Sequence, residues 1–176
     1  MLYDNVMIIY ATKLAHLPVV DPESHLRLGV VTNCIFDPDL GKLSALEIAS
    51  AGLFSHRLYV SFLDIVSIEQ HAVLVNEDDV LPIVELPKVD EIIQSHRPIM
   101  NQNARTTTTK IGLVVEITFN VATGQITQIH TQKLFRRRIF AFSDIDKITR
   151  QAVFIRDDIA HLTITEALPE TAPKIA

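Results

Sequence analysis

The chain has 176 residues, 48% of them apolar, and a formal net charge of −5. That length fits one ordinary domain or two small ones, each with enough apolar residues for a core. The acidic balance excludes a generally basic, nucleic-acid-coating surface. No apolar run approaches the ~20 residues of a membrane-spanning helix, and a single cysteine, Cys34, excludes an internal disulfide framework.

The N-terminal Met1-Leu2-Tyr3-Asp4-Asn5 lacks the basic start of a signal peptide, so the expected location is cytoplasmic. The charge is uneven. Residues 1–88 hold 5 Lys/Arg and 12 Asp/Glu, a net −7, whereas residues 89–176 hold 11 and 9, a net +2.

Strand signals dominate the first half. A short leading strand is predicted over residues 17–20. Residues 27–36 alternate, with Leu28, Val30, Cys34 and Phe36 on one face and Arg27, Gly29, Val31, Asn33 and Ile35 on the other. This is the two-residue period of a half-buried strand. Asp37-Pro38-Asp39-Leu40-Gly41 reads as a turn, opened by Asp and closed by a glycine of positive φ. A partner strand follows over 42–49, then three short strands over 58–62, 65–68 and 72–75.

The segment from Val80 to Pro87 carries two prolines and reads as an extended linker. Residues 87–95 predict a short helix with Val89, Ile92 and Ile93 on one face.

The second half repeats the first. Ala152-Val153-Phe154-Ile155 echoes Ala72-Val73-Leu74-Val75, and the segment from Phe142 to Ile148 echoes that from Phe62 to Ile68, both 80 positions apart. Further back the offset is 83: Ile111-Gly112-Leu113 echoes Leu28-Gly29-Val30, Asn120 echoes Asp37, and Gly124 echoes Gly41. The change of offset places a three-residue insertion in the first copy between Ala49 and Tyr59. In the second copy Ile111, Leu113, Val115, Ile117 and Phe119 are predicted to share a face. A repeat of this kind fixes the architecture. The expected fold is all-β, two tandem barrels of about six strands each, which pack together or dimerise. The expected limits are 1–80 for the first barrel, 81–97 for the linker, 98–165 for the second barrel and 166–176 for a disordered tail.

The Leu28-Gly29-Val30 strand, the Asp37-to-Gly41 turn, the Phe62-Leu63-Asp64-Ile65 segment and the Ala72-to-Val75 strand, each with its second-copy counterpart, resemble the PRC-barrel family. That fold is named for the cytoplasmic domain of the photosynthetic reaction centre H subunit and also forms the C-terminal domain of the ribosome maturation factor RimM. The resemblance covers about three quarters of the chain. It implies a non-enzymatic binding module that docks onto larger assemblies; fold alone names no partner.

The sharpest local feature is Lys133-Leu134-Phe135-Arg136-Arg137-Arg138-Ile139-Phe140. One reading makes Lys133, Arg136, Arg137 and Arg138 an anion site for RNA phosphate or an acidic protein surface. The other makes the run a solvated loop ahead of a strand. The first copy has Ser55-His56-Arg57-Leu58 at the matching place. Asp64 and Asp144 are equivalent, which fits a turn or capping role better than paired acid–base chemistry.

The Asp37 turn lacks the ligand series of a calcium loop. Glu77-Asp78-Asp79 and Asp157-Asp158 follow the last strand of each copy, where acidic clusters keep an edge soluble. The seven histidines show no metal-ligand spacing, and Cys34 reads as a small buried hydrophobe. Thr106-Thr107-Thr108-Thr109-Lys110 reads as a phosphorylation target or as an edge strand or loop, placed at three extra residues carried by the second copy.

No catalytic, cofactor or metal set is identified. The expected function is a non-catalytic adaptor that binds a protein partner or self-associates. The alternative is an RNA- or ribosome-assembly-associated factor acting through residues 133–138.

Overall fold

The structure is a computed structural model that describes residues 7–50 and 57–159, and the backbone alone of 165–167. Strand β1 (Ile8–Tyr10) and helix α1 (Ala11–Leu14) open the chain. The first unit then runs β2 (Pro18–Val20), β3 (Arg27–Asp37), β4 (Lys42–Ser50), β5 (Arg57–Ser61), β6 (Ile65–Ile68) and β7 (Val73–Val75). Helix α2 (Pro87–Gln94) lies in the linker. The second unit repeats the order as β8 (Asn103–Arg105), β9 (Lys110–Asn120), β10 (Ile126–Lys133), β11 (Arg136–Ala141), β12 (Ile145–Ile148) and β13 (Val153–Ile155). Strand β14 (Thr165–Ala167) pairs with β11, so these residues are extended strand where a tail was expected from 166. Residues 168–176 of that tail lie outside the described residues.

The first sheet has the order β5-β4-β3-β2-β7-β6, and the second repeats it as β11-β10-β9-β8-β13-β12. In each, the two ends of this six-strand order are consecutive in the chain; in the second sheet β14 is added beside β11 and β1 beside β9. Only the 3-10 turn Phe62–Asp64 joins β5 to β6, and only Phe142–Asp144 joins β11 to β12. A flat six-stranded sheet is about 24 Å across, whereas three residues and their flanks reach about 13 Å. Each sheet must therefore curl until its edges approach, which makes it a small barrel.

Both long strands bend at the same place. The register of β3 on β4 slips between Val31 and Asn33, and that of β9 on β10 slips between Val114 and Glu116. The extra residues are Thr32 and Val115, which are equivalent. Such a bulge exchanges the two faces of a strand. The predicted uninterrupted alternation is corrected accordingly. Gly29 and Val31 are buried ahead of the bulge and Phe36 beyond it. In the second copy Val114 is buried and Leu113 is 45% exposed, then Ile117 and Phe119 are buried. The residue after each bulge is held alike: Asn33 Oδ1 accepts from the Cys34 N–H at 2.9 Å, and Glu116 Oε1 from the Ile117 N–H at 3.0 Å.

The Asp37 and Asn120 turns form as predicted. The Asp37 carboxylate accepts the N–H groups of Asp39 and Leu40, the Asn120 amide oxygen those of Ala122 and Thr123, and Gly41 and Gly124 have φ of +62° and +70°. The connection between the first two strands is the longer one in copy one, 21–26 against 106–109, which reverses the extra residues expected at the threonine run. Asp21 organises the long version by accepting from the Ser24 N–H and hydroxyl and the Glu77 N–H. Thr106 organises the short one, its hydroxyl accepting the N–H groups of Thr108 and Thr109.

The two barrels share one core. It holds Val31, Phe36, Leu43 and Leu46 of the first unit together with Ile117, Phe119, Ile126 and Ile129 of the second. Across the junction Leu43 N–H donates to the Gly124 carbonyl and Ile126 N–H to the Gly41 carbonyl, both at 2.9 Å. The equivalent residues Lys42 and Gln125 form a β-bridge. The Phe142 ring lies over Gly41 and the Phe62 ring over Gly124. The two main-chain bonds, the bridge and the ring-over-glycine contacts are matched across the copies, which is the signature of an isologous, two-fold interface, here made within one chain.

The leading segments are exchanged. Strand β1, ahead of the first barrel, pairs with β9 of the second, and α2, ahead of the second barrel, packs on β3 of the first. Thr12 N–H and hydroxyl both donate to the buried Glu116 carboxylate, which fastens α1 to the second barrel. On α2, Val89 is buried against Ala45 and Tyr59, while Ile93 faces outward.

Candidate docking surface

The basic run predicted from the sequence is not a loop but the turn and second strand of a tight hairpin. Strands β10 and β11 pair from Gln128 and Ala141 out to Lys133 and Arg136, leaving Leu134 and Phe135 as the whole turn. In the first copy the same hairpin closes from Ala49 and Arg57, with 51–56 outside the described residues. Between the equivalent pairs Ala49–Arg57 and Gln132–Arg137 the first copy has three more residues, which is the insertion seen in the repeat.

Leu134 has φ +53°. A positive φ at the first central position of a two-residue hairpin is where Gly or Asn is preferred, and a branched side chain there costs about 1 kcal/mol. Leu134 and Phe135 are nonetheless 82% and 87% exposed, so burial offsets none of that cost. Strained, exposed and apolar, this tip is a residue choice that the fold does not require.

Strand alternation separates the three arginines. Arg136 and Arg138 lie on one face of β11, where they join Lys133, Lys110, Thr109, Ile111 and the tip around a cavity of about 340 Å³. That lining has four cations and no carboxylate. Lys133 Nζ donates to the Lys110 carbonyl at 3.1 Å, and among the described residues Lys110, Lys133 and Arg136 are in no ion pair.

Arg137 points the other way, half-buried, with its Nε lacking a hydrogen-bond partner among the described residues. It is the internal counterpart of Arg57, which faces Glu47 at 3.5 Å. An arginine at this position therefore belongs to both copies, and the basic character particular to the second copy lies in Arg136 and Arg138. Lys110 as a member of the basic site and the two-residue turn at Leu134 were not singled out in the sequence. The available signal was an apolar pair occupying a two-residue turn.

The other candidates resolve into structural roles. Asp144 caps its 3-10 turn by accepting the Ala141 N–H at 3.0 Å, and Asp64 sits in the other barrel, so the two form no shared site. Asp39 receives both Nη groups of Arg97, at 2.7 and 2.5 Å, which lowers its pKa. Asp21 is held at about 2 by hydrogen bonds, first from the Ser24 N–H and then from the Glu77 N–H.

Cys34 packs partly buried between β3 and α1, and burial, with the Glu116 charge adding, pushes its thiol up to about 12. His16, His25 and His96 hold left-handed turn positions, and His130 meets Tyr10 edge-on at 5.7 Å. His56 and His161 lie outside the described residues.

Two small barrels are joined about a two-fold axis, and among the described residues the β10–β11 hairpin carries an exposed apolar tip beside four cations. Residues 7–81 match the family model for the PRC-barrel domain, so the first unit is a PRC-barrel domain, and the second repeats its strand order and turns. No curated protein matches the chain.

Proposed function

We propose that this protein is a non-catalytic adaptor, in which the paired barrels are a rigid frame and the β10–β11 hairpin is the element that docks. The observation that carries this reading is the tip itself. Leu134 occupies a strained, solvent-facing turn position beside exposed Phe135, inside a ring of cations. Exposed apolar side chains grouped in this way mark contact sites rather than folding determinants. The first reading of the partner is a protein assembly with an acidic face, which the adaptor holds. The second is RNA, favoured by the four cations around the cavity.

Capture from cell extract tests both readings, with wild type compared against L134S/F135S and R136Q/R138Q, each washed at low and high salt. Proteins that survive high salt and disappear with L134S/F135S support the adaptor. RNA that disappears with salt and with R136Q/R138Q supports the second reading. An identical captured set from all three chains removes the hairpin from the function.

A further inference from the structure

The inference rests on the hairpin as docking element and names the surface that element meets. We propose that the β10–β11 hairpin seats on the headgroup layer of an anionic phospholipid membrane. Leu134 and Phe135 reach toward the acyl boundary, and Lys110, Lys133 and Arg136 face lipid phosphates.

The tip is a two-residue turn whose side chains are more than four-fifths exposed, so it is convex and apolar. Protein hot spots fill pockets in a partner and are shielded by a polar rim. A cation-ringed wedge suits a flat surface that is charged outside and apolar beneath. The cavity beside the tip, lined by four cations and Ile111, has the chemistry to take a phosphate-bearing headgroup.

Composition separates lipid from RNA. Single-stranded nucleic acid is held by several aromatic rings on which successive bases stack. This site offers one ring, Phe135, beside a branched aliphatic chain on which no base stacks.

Charge complementarity also orients the molecule. The sequence half carrying the hairpin has a net +2 and the other half −7, so the half with the hairpin is the one an anionic surface favours. Polybasic and apolar signals together give stable surface attachment where either alone is marginal. The attachment is peripheral; no helix among the described residues is long and apolar enough to cross a membrane.

The test uses purified full-length protein and vesicles of phosphatidylcholine alone or mixed with phosphatidylglycerol, read by flotation. The chain has no tryptophan, so F135W places a single fluorescent reporter at the tip. The expected result is binding to the mixed vesicles only, weakened by salt, with a blue shift of the F135W emission. K133Q/R136Q lowers the affinity about twenty-fivefold, or about fivefold per cation. L134S/F135S lowers it about tenfold or more.

L134G separates binding from folding. It relieves the positive-φ strain, so its melting temperature rises while its vesicle affinity falls. No flotation of wild type with anionic vesicles, or no blue shift, overturns the proposal. So does salt-sensitive binding of an RNA oligonucleotide without vesicle binding. If vesicles fail while L134S/F135S still loses its captured proteins, the lipid inference falls and the adaptor reading stands. If the hairpin variants change neither, both fall.

Discussion

Phe36 and Phe119 are the same residue of the two copies, and they meet each other edge to face with ring centroids 5.7 Å apart. Residues that touch their own equivalents lie on a two-fold axis. The rings are therefore the centre of the junction between barrels, and both are buried. Phe36→Ala and Phe119→Ala are each expected to destabilise the protein by about 3–5 kcal/mol. Because the two rings touch, the double variant costs less than the sum, by about 1 kcal/mol. Urea unfolding of the four chains in the cycle measures this, and strict additivity would show that the barrels are not coupled through these rings.

The reciprocal glycines give an ordered pair. Both have positive φ, and a Cβ at either meets an aromatic ring of the other barrel. At Gly41 the added carbon overlaps the Phe142 ring, whereas at Gly124 the nearest Phe62 atom is 2.9 Å away. Gly41→Ala is expected to cost about 3 kcal/mol and Gly124→Ala about 1–2 kcal/mol. Thermal unfolding gives the order; Gly124→Ala as the more damaging change would contradict the geometry.

Asp21 makes stability depend on acid. Its folded pKa is about 2, below the ordinary 3.8, because it accepts hydrogen bonds as a carboxylate. A depressed carboxyl pKa stabilises the fold above the unfolded value and ceases to do so as pH falls through the folded value. Asp21→Asn should therefore melt lower than wild type at neutral pH, and the gap should shrink as pH falls from about 4 to about 2. Melting curves across that range decide it, and a gap that stays constant with pH would mean the carboxylate charge plays no part.

Cys34 should be a poor nucleophile. With its thiol pushed up to about 12, the thiolate fraction at pH 8 is about a thousandfold below that of an ordinary cysteine. Reaction with a chromogenic disulfide should be correspondingly slow in the folded protein and fast once urea unfolds it. Rapid labelling of the native chain would contradict both the burial and the influence of Glu116.

The sequence by itself determined the repeat, most of the strand positions along the chain and the turns. These depend on local chemistry: an Asp or Asn that accepts its own turn's N–H groups, a glycine that takes positive φ, and alternation over short strands. It also located the basic run. Tertiary structure decided the rest. The bulges at Thr32 and Val115 turned over the faces of both long strands, because a register slip depends on the partner strand. The triple arginine divided into Arg137, internal and shared with Arg57, and Arg136 and Arg138, outward around a cavity whose fourth cation, Lys110, comes from another strand.

The pairing of Phe36 with Phe119, the exchange of β1 and α2, and the ring-over-glycine contacts join residues distant in the chain. Repetition in a sequence says that two units are alike. Only the folded chain shows that the likeness is used, with each barrel supplying the surface that the other one buries.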